Sequence, residues 1–381
     1  MRRLVHLASY DIIMLKNNAV AMLQKQGEPA MNIITIGMDL GDKNNVICVL
    51  DKAGKPIKNV IIENNDTSLR SFFNQYKGAV VALEAGTHSP WTSRLLSSMG
   101  CNVLVGNPRK LRAIWDRDQK SDDRDAEMLA RIARFDPDLL YPINHREEQA
   151  QIDMELLQAR DLLVRNRASL INHVRSSVKS LGGRLPSCSA DCFHRKGEQH
   201  LPVVLQEYLK PILDIIEQLT LQIKEFDQKI EQISNQRYPE TELLRAIQGV
   251  GSLTALAFVA TLGNPDRFSK SRQVGSFLGL TPRRDQSGET DKQLRITKAG
   301  NPYLRRLLVG SAQYILGHFG EDCNLRRFGL RLAARGGKNA KRRAVVAVAR
   351  KLSVLMHRLW QRGEVYAPLY SLKAGCLQGA A

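Results

Sequence analysis

The stretch Ile33-Ile34-Thr35-Ile36-Gly37-Met38-Asp39 decides the fold: an apolar run, broken only by a threonine, that closes on an acid. Such a run bounded by turn residues is the pattern of a buried strand. Gly41-Asp42-Lys43-Asn44-Asn45 follows as a turn, and residues 46–51 form the next strand. Lys52-Ala53-Gly54-Lys55-Pro56 turns the chain again, into a strand over 59–63. Further on, the spacing predicts a helix over 68–76, a strand over Val80–Glu84 and a helix over 91–99 capped by Gly100. A strand over 102–105 and helices over 108–115 and 122–134 complete the segment.

Three antiparallel strands followed by alternating helices and strands is the order of an α/β, ribonuclease-H-like sheet. In such a sheet the ends of the first and fourth strands lie side by side, and a later helix crosses near them. Asp39, Glu84, Asp122 and Asp125 are therefore expected to converge. Asp122 and Asp125 open Ser121-Asp122-Asp123-Arg124-Asp125-Ala126, where a spacing of three puts both on one helix face and turns Asp123 away. Clustered carboxylates repel one another unless a cation neutralises them, and hard oxygen ligands suit Mg²⁺ or Mn²⁺. Paired ions of that kind drive phosphoryl transfer on nucleic acids. Any one acid at a strand end or helix start reads equally well as a solvated residue or a cap. The four in this order carry the metal reading.

Charge supports a polyanionic partner. In 381 residues, 56 Lys+Arg stand against 38 Asp+Glu, a net +18. Between Thr281 and Trp360, 18 Lys and Arg face only five Asp and Glu. Membrane-surface binders concentrate such charge on one short helix, whereas here it spans many elements. No apolar run reaches the roughly 18 residues of a membrane span. Aromatic residues make up only 6 % of the chain, which disfavours a single-strand stacking platform. The six cysteines lack disulfide-like spacing, as expected of a reduced, cytoplasmic protein. Cys188, Cys192, His194 and His200 are spaced loosely for zinc, and a metal site there is not expected. Residues 1–30 precede a second methionine, Met31, and are read as an unassigned N-terminal extension.

Domain organisation follows from the change of period. Residues 31–145 form the α/β segment and 146–240 a helical, coiled-coil arm. Leu156, Leu157, Leu163, Leu170, Ile171, Val174 and Val178 mark one helix face in the arm; Ile212, Ile215, Ile216, Leu219, Ile223, Phe226, Ile230 and Ile233 mark another. The intervening residues 182–200 read as a loop, and the pair reads as a dimerisation arm or a plain spacer. A mostly helical region over 241–365 precedes a tail over 366–381. It opens on Gly249-Val250-Gly251, which reads as a helix-hairpin-helix element whose glycines let backbone N–H groups approach phosphates. Gln286-Ser287-Gly288-Glu289 reads as turn chemistry. Arg305, Arg306, Arg326, Arg327, Lys341, Arg342 and Arg343 read as contacts to a nucleic-acid backbone, salt-dependent and blind to sequence.

Several blocks together resemble the DEDD-type transposases of the 110 family of insertion sequences, which include pilin-gene invertases. They are Ile36-Gly37-Met38-Asp39, Leu83-Glu84-Ala85-Gly86-Thr87, Asn107-Pro108, Lys120-Ser121-Asp122-Asp123-Arg124-Asp125-Ala126 and Gly249-Val250-Gly251. Gly279-Leu280-Thr281-Pro282-Arg283-Arg284, running on to Ser287-Gly288, and Thr297-Lys298-Ala299-Gly300 are the most specific. The resemblance covers residues 31–362. The chain departs from it in the N-terminal extension and after Glu84, where Ala-Gly-Thr-His-Ser replaces the common Ala-Thr-Gly; neither change removes a catalytic residue.

The resemblance implies a RuvC-like catalytic domain, a coiled-coil linker and a C-terminal transposase domain. It places metal-binding acids at Asp39, Glu84, Asp122 and Asp125 and a serine nucleophile at Ser287. Arg283 and Arg284, flanking that serine, are expected to neutralise charge developing on the phosphate, and Lys298 to contact nucleic acid. It further implies donor and target double-stranded DNA as substrates, a noncoding bridge RNA as guide, a homotetramer, and a nucleoid-associated prokaryotic protein. Two other classes share these acids. A structure-specific metal nuclease would hydrolyse with water and need no serine, and a domesticated element would bind nucleic acid without cutting it.

Overall fold

The computed structural model describes residues 34–115, 121–288 and 290–369. The N-terminal extension, the start of the first strand, Lys120 and most of the tail lie outside them. The chain divides between His145 and Arg146 into two compact units; the arm and the C-terminal region share the second.

The first unit is mixed α/β. Strands β1 (Thr35–Leu40), β2 (Asn44–Leu50) and β3 (Pro56–Glu63) form an antiparallel meander. Helix α1 (Asp66–Phe73) then carries the chain to β4 (Val80–Glu84), which pairs parallel with β1. Helix α2 (Ser89–Ser98) leads to β5 (Asn102–Gly106), parallel to β4, and the sheet runs β3-β2-β1-β4-β5. Helices α3 (Pro108–Trp115) and α4 (Asp122–Phe135) close the unit.

Alternation along the strands splits the core into two faces. Ile36, Met38, Ile47, Val49, Val81 and Leu83 pack with Leu69, Phe73, Leu95 and Leu96. The opposite face receives α4, through Ala126 and Ala130 against Cys48 and Leu50, and through Leu129 and Ala133 against Ala82. The expected strands and helices of this unit are present, their ends shifted by a few residues.

The second unit begins with two long helices, α5 (Glu148–Ser180) and, after a short α6 (Phe193–Gln199), α7 (Val203–Arg237). On α7 the buried positions Leu209, Leu213, Ile216, Thr220, Ile223 and Ile230 keep the alternating spacing of a coiled-coil seam. One expected seam residue, Ile215, instead points outward at 51 % exposure. The segment read as a loop over 182–200 holds a 3₁₀ turn at Ala190–Cys192 and then α6. Burial of Phe193 with Leu209 and Leu213 drives this folding-back.

The remaining elements are α8 (Thr241–Arg245), α9 (Ser252–Leu262), α10 (Arg272–Phe277), the hairpin β6 (Pro282–Ser287) and β7 (Thr290–Ile296), α11 (Pro302–Leu316), α12 (Asn324–Ala333) and α13 (Ala340–Arg362). Helix α9 is buried from Thr254 to Leu262 and forms the centre of this core, with α11 and α13 packed around it. The β6–β7 hairpin was not expected as strands. Its residues are exposed almost throughout, so no apolar alternation marks it.

Candidate active site and nucleic-acid interface

The acid cluster is a product of one close approach. Gly37 faces α4, and a methyl group on it would lie 1.8 Å from the Ala126 carbonyl oxygen and 2.6 Å from the Ala130 nitrogen. Only a residue without Cβ lets the helix backbone rest on the strand. The first turn of α4 thereby meets the end of β1. One carboxylate oxygen from each of Asp39, Asp122 and Asp125 lies within 4.8 Å of the others. Asp39 and Asp125 are half-buried and Asp122 is exposed; Asp123 stays outside the cluster. The helix N-terminus offsets part of the repulsion, since its unpaired N–H groups favour acids in the first turn. That accounts for Asp122 and Asp125 as first-turn residues, but not for the strand acid Asp39 facing them.

Glu84 ends β4, one residue past the Met38–Leu83 pair that closes the β1–β4 register. It is half-buried and lies outside the 4.8 Å set. The structure therefore brings together three of the four expected acids, with the fourth at the end of the neighbouring strand. The nearby Cys48 is no nucleophile: burial, reinforced by the Glu127 charge, pushes its thiol up to about 11.

Ser287 is the last residue of β6 and pairs with Thr290, and Gly288 beside it takes φ 53°. It is exposed, as are Arg283 and Arg284. Arg284 donates Nε and Nη2 to the two carboxylate oxygens of Asp291 on the facing strand, both at 2.7 Å. That pairing holds Asp291 below the usual carboxylate range.

The two most specific sequence blocks build the mount for this hairpin. The Lys298 amide donates to Gly279 O at 3.1 Å and the Thr297 amide to Thr281 O at 2.9 Å. A methyl on Gly279 would lie 2.3 Å from Ala299 N, and one on Gly300 would lie 2.1 Å from Phe277 O. Lys298 itself takes φ 55°, an uncommon conformation outside glycine. Arg305 donates Nη1 to Leu278 O at 3.0 Å and to Ala299 O at 2.9 Å, tying the two blocks together.

The basic residues fall into two groups. Arg305 ties backbone, as does Arg326, whose Nη1 donates to Ile315 O at 2.6 Å and Gly317 O at 2.7 Å. Arg306 pairs with Asp161 at 2.6 Å, and Arg327 with Asp322. Lys298, Arg342 and Arg343, by contrast, line a groove of about 1640 Å³ between β7, α12, α13 and the segment after it. Arg295, Arg350, Lys351 and Arg358 line the same groove, Arg358 in an ion pair with Glu364 at 3.1 Å. These last were missed in the sequence, where, apart from the adjacent Arg350 and Lys351, they are widely spaced. Their signal is the steps of seven and eight residues from Arg343 to Arg350 to Arg358, which keep them on one face of α13. Lys341 is exposed at the start of that helix.

A smaller hollow of about 540 Å³ lies at Gly249-Val250-Gly251, with Arg245 and Arg306 on its walls. Both guanidiniums are ion-paired, to Glu231 and Asp161. It is therefore a poorer phosphate site than the large groove. Cys188, Cys192, His194 and His200 form no metal-ligand group among the described residues. No described helix is long and apolar enough to cross a membrane.

A transposase model of the DEDD, IS110 type matches residues 36–182, and the model described as "Transposase IS116/IS110/IS902 family" matches residues 241–324. The chain is 28 % identical to the transposase for insertion sequence element IS1111A of Coxiella burnetii, over 76 % of this chain and 79 % of that one. It is 27 % identical to a probable family 20 transposase of Pseudomonas aeruginosa, over 75 % and 85 % of the two chains. A pilin gene-inverting protein of Moraxella bovis is 26 % identical, over 62 % and 65 %.

Proposed function

We propose that this chain, a member of the IS116/IS110/IS902 family of insertion-sequence transposases, cuts and rejoins DNA through a covalent phosphoserine in a metal-dependent reaction. The meeting of Asp39, Asp122 and Asp125 carries this reading. Three hard, anionic oxygen donors within one ion's reach fit Mg²⁺ or Mn²⁺ and suit no softer ion as well. Glu84, on the adjacent strand end, would complete the set. A divalent ion held there supplies charge to polarise the scissile phosphate and to stabilise the leaving oxygen.

Ser287 is the nucleophile. Its Oγ–P bond forms as the bond to the leaving strand breaks, and the hydroxyl proton passes to solvent. A strand terminus of the partner duplex then displaces the serine. Arg283, on the same hairpin, balances the charge on the transferring phosphoryl group, while Arg284 stays with Asp291. The exposure of Ser287, Gly288 and Thr290 suits a nucleophile that must reach into DNA.

The α13 groove holds nucleic-acid backbone. Donor and target duplexes are the substrates, and a bridge RNA selects them by base pairing within a homotetramer, as the family resemblance implies. The sheet order and the placement of the acids support a RuvC-like first unit.

A denaturing gel separates this reading from a hydrolytic nuclease. Labelled element-junction DNA, Mg²⁺, protein and RNA from the flanking region are mixed, with Ser287→Ala and Asp122→Ala alongside. A slow, protease-sensitive DNA–protein adduct that needs both residues is expected. Free nicked ends that need Asp122 but not Ser287 would mean hydrolysis by water.

A further inference from the structure

We propose that Cys188 and Cys192, near the tip of the helical arm, are a redox-active dithiol that closes into a disulfide around Asp191, the counter-ion of the buried Arg167.

The two cysteines bracket Ser189-Ala190-Asp191, and the 3₁₀ turn Ala190–Cys192 folds the second back toward the first. Cys192 Sγ lies 3.2 Å from Ser189 Oγ and donates to Ser189 O at 3.6 Å. The Cys188 side chain is itself among the neighbours that lower the Cys192 thiol. Arg175 Nη2 donates to Cys188 Sγ at 3.9 Å. The Ser189 hydrogen bond, helped by the Lys196 charge, holds the Cys192 thiol below its ordinary range. Both thiols are half-buried and reachable, whereas Cys48, Cys101 and Cys323 are buried. These two are therefore the reactive cysteines among the described residues.

The turn between them has a structural task. Asp191 accepts from Arg167 Nη1 at 2.7 Å, and Arg167 also donates to Thr220 Oγ1 at 3.1 Å. Arg167 is only 8 % exposed, so the counter-ion on that loop offsets the cost of burying its charge. With the thiols reduced, non-covalent contacts hold the loop. A disulfide fixes it covalently.

The chemistry needs an oxidant of the low-molecular-weight disulfide class. One cysteine thiolate attacks a sulfur of that disulfide, breaking its S–S bond and releasing one small thiolate. The second cysteine, deprotonated, attacks the protein sulfur of the mixed disulfide and expels the other small thiolate. The two protein thiols are oxidised, the small disulfide is reduced to two thiols, and the two protons end on them.

The test uses the full chain and oxidised glutathione, followed by alkylation in denaturant and tryptic mapping. Both cysteines fall on the peptide 185–195, and Cys376 falls on another. The peptide is expected two hydrogens lighter and unalkylated, and to regain two alkylation sites after dithiothreitol. Two alkyl groups after oxidation, retained glutathione, or a link to any other cysteine would overturn the pairing. Link to Arg167 is read by melting. Oxidation is expected to raise the Tm of Asp191→Asn more than that of the unaltered chain; an equal rise, or none, would overturn the coupling.

Discussion

Gly37 and Ala126 touch backbone to backbone: a methyl on the glycine would stand 1.8 Å from the alanine carbonyl oxygen. That contact sets the height of α4 over the sheet, and so the distance from Asp39 to the two acids of the helix's first turn. Gly37→Val is expected to push α4 away, because the obstructing atoms are backbone and cannot swing aside. Overpacking of this kind costs about 1–3 kcal/mol. Urea unfolding should show that loss, together with loss of Mg²⁺-dependent cleavage. A Gly37→Val protein with unaltered stability and cleavage would show that the contact does not seat the helix.

Removing charge from the cluster should separate ion binding from folding. The unaltered chain is expected to melt higher in Mg²⁺ or Mn²⁺ than in EDTA, since an ion that binds only the folded state stabilises it by mass action. Asp122→Asn, on an exposed residue, should leave the melting point in EDTA unchanged or raised, because one of three clustered charges is gone. Its rise in Mg²⁺ should be much smaller. An Mg²⁺ response equal to that of the unaltered chain would remove Asp122 from the ligand set.

The α13 groove gives a test that reads slopes rather than affinities. Arg343→Ala with Arg350→Ala should lower the dependence of binding on salt by about 1 per lost phosphate contact, uniformly across sequences. Arg305→Ala should instead loosen the hairpin mount and lower the melting point, because it strands the carbonyls of Leu278 and Ala299. If the double variant kept the full slope, the groove would not carry backbone.

At the base of the arm, Asp153 is 2 % exposed and accepts from Arg237 Nη1 at 2.7 Å and Tyr238 Oη at 2.9 Å. It joins the start of α5 to the end of α7. Stripping one partner from a fully buried ion pair costs about 3–5 kcal/mol. The Arg237 side chain is 48 % exposed and can regain water, so Asp153→Ala should cost less, about 1–3 kcal/mol. Denaturant unfolding of the full chain measures it; a loss near zero would mean that the staple is dispensable.

The first unit was legible because burial writes itself into its sequence. Strands β1, β2 and β4 are inward-facing and apolar, and the acids fall where those runs stop. The hairpin carrying Ser287 left no such trace, being exposed on both faces; only the likeness of the flanking blocks singled out the serine. Arginines were the hardest to read. Arg305 and Arg326 sit in a basic stretch and look like phosphate ligands, yet each donates its Nη1 to two carbonyls brought near by folding. Arg350 and Arg358 look scattered until the helix aligns them with Arg343.

The seam of the arm has a consequence for how such a chain can change in length. Buried positions on α7 recur at three- and four-residue steps, and the polar contact of Arg167 with Thr220 pegs α5 against α7 at one level. A single inserted residue would rotate everything beyond it by about 100° and turn the seam to water. Seven residues added to both helices would restore the match and lengthen the arm by about 10 Å. The arm is thus a ruler with coarse graduations, and its descendants are expected to differ in reach by whole heptads.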